Sequence, residues 1–155
     1  MVSIFYFDTS ALLKQYVAEI GSGWVNDLLA TSPAPFVFTS QLTTVEGVCA
    51  FTRRLREGTL SSVAHSRLLA AFDYDMTYRY QLVDIMPATI ETARQLAQKH
   101  PLRAYDAIQL ATAWLVNQTL VGAEKAPLLF ISADDRLNGI AQVEGLEVDN
   151  PNHHA

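Results

Sequence analysis

Residues 4–14 read Ile4-Phe5-Tyr6-Phe7-Asp8-Thr9-Ser10-Ala11-Leu12-Leu13-Lys14, and the character of the chain changes twice within them. Ile4 to Phe7 is an unbroken apolar run of aromatic and β-branched residues, the composition of a strand buried on both faces. Asp8 closes it. Thr9-Ser10 then supplies hydroxyls that can cap a helix beginning at Ala11. A strand that passes straight into a helix opens a β-α-β unit, so this stretch predicts an α/β protein with parallel strands and right-handed crossovers.

Working outward, runs of the same kind occur at 3–7, 36–39, 82–86 and 128–132, with a weaker one at 146–148, giving four to five strands. Helix-length segments separate them at 9–18, 22–31, 41–57, 61–79, 88–99, 104–120 and 135–142. Gly21 and Gly58 fall where helices should stop, and Pro87 follows the third strand. On 61–79, Leu69, Phe72 and Met76 recur at helical spacing, which reads as a core stripe. No repeat, low-complexity segment or linker divides the chain, so one domain is expected over 1–150, with 151–155 as a short polar tail. The adjacent His153 and His154 on that tail read as a solvated end.

Half of the 155 residues are hydrophobic and 17% are charged, enough for a substantial core. A mean hydropathy of +0.12 suggests apolar surface reserved for a partner as well. The net charge of −5 argues against a protein that holds nucleic acid chiefly through a basic face, but not against an enzyme that grips phosphate through metal. The lone cysteine, Cys49, excludes an intramolecular disulfide framework and fits a reducing cytoplasm, where it is expected as a small buried side chain on a helix. The start of the chain has neither a basic n-region nor a signal-length apolar core. The apolar stretch 104–121 is interrupted by Asp106, Gln109, Asn117 and Gln118, so it reads as a buried helix rather than a membrane span.

Four acids sit where core-forming segments rarely carry charge. Asp8 ends the first strand, Glu46 interrupts Val45…Val48-Cys49-Ala50-Phe51, Asp106 lies within Ala104-Tyr105…Ala107-Ile108, and Asp134 follows Leu128 to Ala133. In an open parallel sheet, ligands gather beyond the carboxyl ends of the strands, an edge that strand ends and helix starts can share. Clustered carboxylates stay ionised at neutral pH only with positive charge between them, and an all-oxygen set selects Mg²⁺ or Mn²⁺ over zinc. Such an ion suits phosphate-ester hydrolysis. Each acid also has an ordinary reading. Asp8 and Asp134 can simply cap helices, Asp106 can pair with Arg103, and Glu46 can pair with Arg53 or Arg54. Asp84 also interrupts an apolar run, but mid-strand alternation sends it to a wet face. Tyr105 and Trp114 are expected in the core. The cluster Arg53, Arg54, Arg56 reads either as a solvated helix face or as a small phosphate-contacting patch.

At these residues the chain resembles the PIN-domain family, and within it the VapC-type toxins of toxin–antitoxin pairs. The matching pieces, in order, are Tyr6 to Lys14, Thr44-Val45-Glu46, Leu102 to Ala111, Ile131 to Leu137, and the ending Gly145-Leu146-Glu147-Val148…Asn150-Pro151. The resemblance implies a three-layer α/β/α fold with a central parallel sheet, and a metal-dependent endoribonuclease using Mg²⁺ or Mn²⁺. It makes Asp8, Glu46, Asp106 and Asp134 the metal ligands and Ser10 a supporting hydroxyl. Ser132 stands where the family often has Thr, and Asp135 leaves a one-residue ambiguity beside Asp134. Implied partners are an RNA substrate, a cognate antitoxin and a second copy of the chain, with Leu12, Leu13, Tyr16 and Trp24 as interface candidates if they are not core. The competing readings are a PIN-type nuclease that is not a toxin, a phospho-receiver-like signalling domain, which would want a lysine near 128–135, and a degenerate binding module.

Overall fold

In the computed structural model, which describes residues 1–154, β1 (Ile4–Phe7) runs directly into α1 (Thr9–Leu12). There follow α2 (Ser22–Leu29), β2 (Phe36–Ser40), α3 (Leu42–Arg56), α4 (Ser62–Tyr78) and β3 (Gln81–Val83). The chain then forms α5 (Pro87–Lys99), α6 (Ala104–Gly122), β4 (Leu129–Ile131), α7 (Asp135–Val143) and β5 (Glu147–Asp149). The five strands pair in parallel in the order β3-β2-β1-β4-β5. Phe5 registers with Val37 on one side and Leu129 on the other, so the strand read first is the centre of the sheet.

Side-chain alternation explains why that run had to be wholly apolar. Tyr6 and Phe130 enter a core with Leu96, Leu110 and Leu137 from α5, α6 and α7. Phe5, Phe7 and Ile131 enter a second core with Leu12, Val25, Phe51 and Phe72 from α1 to α4. A strand paired at both edges and covered on both faces has no wet side. The result is a three-layer α/β/α fold. Among the described residues no helix is long and apolar enough to cross a membrane.

Several local expectations are corrected. The helix expected at 9–18 is α-helical only over Thr9–Leu12 and tightens to a 3₁₀ turn at Leu13–Gln15. Lys14 is buried there, its Nζ donating to the Ile20 carbonyl at 2.8 Å and so closing the following loop. The strand expected at 82–86 ends at Val83, because Met86 N–H already donates to Thr89 Oγ1 at 3.1 Å as α5 begins. Asp84 is exposed as expected, but because it lies beyond the end of β3 rather than by mid-strand alternation. Cys49 is exposed rather than buried.

The expected solvated tail is instead docked over 151–154, while Ala155 lies outside the described residues. Pro151 is buried in a 3₁₀ turn, Pro151–His153, and His154 stacks on Trp24 with centroids 4.2 Å apart and planes 4° from parallel. Gly21 makes the docking possible. Its φ is +84°, and an added Cβ would lie under 3.0 Å from the Pro151 carbonyl. Gly21→Ala should therefore cost about 2 kcal/mol through left-handed strain and overlap, which is a drop of roughly 4–8 °C in a melt. An unchanged midpoint would refute this account of the docked end.

Candidate active site

The chain builds β1, β2 and β3 outward to one side, then crosses back to place β4 and β5 on the other. The strand order therefore reverses beside β1, where parallel sheets open a crevice at their carboxyl edge. Asp8 follows β1 at this edge and Asp134 follows β4.

Asp8 is 5% exposed and caps α1. Its Oδ1 accepts from the Ala11 amide at 3.0 Å and from Ser10 Oγ at 2.7 Å, while Oδ2 accepts from Ser132 Oγ at 2.6 Å. Burial pushes its carboxyl up to about 6, against the pull of these three donors, with the Glu46 charge adding a little more. Ser132 Oγ in turn accepts from the Asp134 amide at 3.1 Å, and Ser10 Oγ accepts from the Ala133 amide at 3.1 Å. Ser10 and Ser132 thus tie the end of β1 to the loop after β4.

Glu46 lies in the second turn of α3. Its Oε1 takes Thr9 Oγ1 at 2.8 Å and Gln109 Nε2 at 2.8 Å, and it forms no ion pair with Arg53 or Arg54. Gln109 is the residue that sequence reasoning missed. It is 2% exposed, accepts from Tyr6 Oη at 2.6 Å through Oε1, and offers its amide hydrogens to Glu46 and to Thr43 Oγ1 at 2.9 Å. The signal was present in the sequence. A glutamine amid Ala107 to Ala113 on an apolar helix needs buried partners.

Asp106, in the first turn of α6, and Asp134, the N-cap of α7, are joined by Arg136. Arg136 Nη2 stands 3.5 Å from Asp106 Oδ2 and 3.9 Å from Asp134 Oδ2. Asp106's carboxyl is raised by burial first and by Asp134 second, with Arg136 and Arg103 opposing and Glu46 adding slightly. Asp135 points elsewhere, accepting from Asn150 Nδ2 at 2.7 Å and pairing with His153 at 3.0 Å. Asp134, not Asp135, therefore faces the other acids.

The structure brings the four acids into one hydrogen-bonded and electrostatically coupled edge, but it does not gather them into a tight cage. Among the described residues no group of three or more His, Cys, Asp or Glu side chains is placed to hold a metal ion. The donor chemistry still fits a hard divalent cation. Every candidate ligand is oxygen, neighbouring acids add to the burial that raises Asp8 and Asp106, and Asp8 uses three of a carboxylate's roughly four lone-pair sites. Ligation partly through water is the form that suits this spacing.

A three-layer parallel fold with coupled acids at the crevice of its central strands defines a class of α/β protein that works at the carboxyl edge of its sheet. The sequence profile of the PIN domain matches residues 5–143, and the chain belongs to the PIN-domain family. Nucleases of this family are hydrolases acting on nucleic acids. Solved structures agree in fold. A toxin–antitoxin complex from Klebsiella pneumoniae is 20% identical, with a TM-score of 0.62 over 95% of this chain and 97% of that one. VapBC2 from Rickettsia felis, bound to a DNA fragment from its promoter, is 12% identical, with a TM-score of 0.64 over 95% and 98%. FitAcB from Neisseria gonorrhoeae is 14% identical, with a TM-score of 0.59 over 97% and 99%. No curated protein sequence matches the chain. Membership of this family removes the phospho-receiver reading.

Proposed function

We propose that the chain is a metal-dependent endoribonuclease, hydrolysing RNA phosphodiester bonds as the toxin of a cytoplasmic toxin–antitoxin pair. The observation that carries this reading is the buried, hydroxyl-anchored Asp8 at the strand-order reversal, with Glu46, Asp106 and Asp134 coupled around it. Asp8 is oriented by Ser10 and Ser132 so that a lone pair on Oδ2 stays free. Glu46 is held through one oxygen by Gln109 and Thr9, and its Oε2 makes no hydrogen bond among the described residues, leaving that oxygen for water or substrate. Mg²⁺, with Mn²⁺ as substitute, held by Asp8, Glu46, Asp106 and Asp134 directly or through water, would supply a more acidic water and offset charge on the leaving oxygen. Products would carry a 5′-phosphate and a 3′-hydroxyl.

The toxin assignment draws on the family resemblance and on the structural neighbours, one of which is described as a toxin–antitoxin complex. It also has an electrostatic rationale. Arg136 demonstrates that a guanidinium fits between Asp106 and Asp134, so an antitoxin segment carrying Arg or Lys could occupy the acids and block a metal. A homodimer completes the proposal. The test is cleavage of a structured RNA panel by the purified chain in Mg²⁺ or Mn²⁺, which a chelator should abolish. Cleavage that survives chelation, or none with either ion, would sink the assignment. Growth arrest on expression, relieved by the product of the neighbouring gene, separates a toxin from a maturation nuclease.

A further inference from the structure

Beside the acids lies an open groove of about 540 Å³, bordered by Ser10, by Glu46, Cys49, Arg53 and Arg56 of α3, and by Tyr105 of α6. This is within the roughly 300–1,000 Å³ of ordinary ligand pockets. A second groove of about 290 Å³ shares Ser10 and Arg53 with it and adds Lys14 and Arg54. Ser10, the residue bonded to Asp8, therefore stands where two grooves meet, with Arg53 on both.

Two features of these grooves bear on what they could bind. Arg53, Arg54 and Arg56 enter no ion pair among the described residues, although the chain carries a net charge of −5 and acids to pair with are plentiful. Tyr105, expected in the core, is 40% exposed at the groove's border, where its hydroxyl accepts from Arg103 Nη1 at 2.6 Å. Unpaired cations beside an exposed aromatic ring are the two components of single-strand recognition, one for phosphates and one for bases.

We infer that the two grooves form a subsite for single-stranded RNA, in which Arg53 with Arg54 and Arg56 takes backbone phosphates flanking the reacting one and Tyr105 stacks an unpaired base. A duplex is excluded because its bases present no free face to the ring. The inference rests on the ribonuclease reading, which supplies the strand that passes Asp8.

The chain's only cysteine lies in the larger groove and is exposed, so it reports occupancy without turnover. The experiment measures alkylation of Cys49 in chelator, with a mixed-sequence single-stranded RNA or the same RNA annealed to its complement. The single strand should slow alkylation several-fold and the duplex should not. Tyr105→Ala and Arg53→Gln should each weaken binding roughly tenfold, while Tyr105→Phe, which keeps the ring, should bind as the parent does. Circular dichroism confirms that these variants fold. No protection, equal protection by duplex, protection by polyglutamate in place of RNA, or a Tyr105→Phe loss matching Tyr105→Ala would each overturn the subsite. Asp8-dependent cleavage with an unprotected Cys49 would refute the subsite and leave the nuclease standing. A protected Cys49 in a chain that cleaves no RNA would refute the nuclease and keep the groove.

Discussion

Asp8→Asn should abolish RNA cleavage and, above pH 6, yield a more stable protein than the parent. The loss of activity should be about a thousandfold or more, equivalent to about 4 kcal/mol in the barrier, because the substitution removes the charge on which the proposed ion depends. The gain in stability follows from burial. Asp8 titrates at about 6 in the folded chain against an ordinary 3.8, so folding takes up a proton between those values. The stability that goes with the protonated carboxyl is fully present below pH 3.8 and is lost as pH rises through about 6. Two pH units correspond to about 3 kcal/mol, reduced to about 2 kcal/mol because an amide cannot accept from all three present donors. Melts of parent and variant should coincide near pH 4 and separate by several degrees by pH 7. Mg²⁺ or Mn²⁺ should raise the parent's midpoint and leave the variant's unmoved, a readout independent of turnover. A variant that cleaves normally, or a stability gap that does not change with pH, defeats the assignment of Asp8.

What the sequence disclosed here was local, and what it withheld depended on partners distant in the chain. The run Ile4 to Phe7 announced a central strand because no partly wet strand tolerates four apolar residues in a row. The strand-to-acid transitions at Asp8 and Asp134 placed those residues at the carboxyl edge before any topology was known. By contrast, Arg136 is two residues from Asp134 yet reaches Asp106, thirty positions earlier, across the gap between α6 and α7. Gln109 was noticed only as an interruption of an apolar stretch, since its partners Tyr6, Thr9, Thr43 and Glu46 come from β1, α1 and α3. Tyr105 and Cys49 carry apolar composition into a groove wall, and composition cannot tell a groove wall from a core. The acids themselves were thus more legible than the groups that neutralise them or hold them in place.

The holding is most exposed to test at Gly47, immediately after Glu46 on α3. Phe72 of α4 packs edge-on to this glycine, and an added Cβ would lie 2.9 Å from Phe72 Cε1 and closer still to Cζ. The ring cannot yield. It is fully buried, edge-to-face with Phe51 at 5.5 Å and with Tyr16 at 5.4 Å. Helix propensity alone predicts that Gly47→Ala stabilises α3 by about 1 kcal/mol, but overpacking at a boxed ring costs about 1–3 kcal/mol, so the net effect should be destabilising. Gly47→Val, with two more carbons and a β-branch, should cost about 3 kcal/mol or more. Relief requires α3 to move away from α4, which displaces Glu46 from Gln109 and Thr9, so cleavage should fall in the fraction that remains folded. Shortening the obstacle separates this from a general defect. In the Gly47→Ala background, Phe72→Leu should cost less than it does in the parent, with a coupling of about 1 kcal/mol or more in a double-mutant cycle. Strict additivity, or a Gly47→Ala protein that melts above the parent, would show that contact with Phe72 is not what requires glycine there.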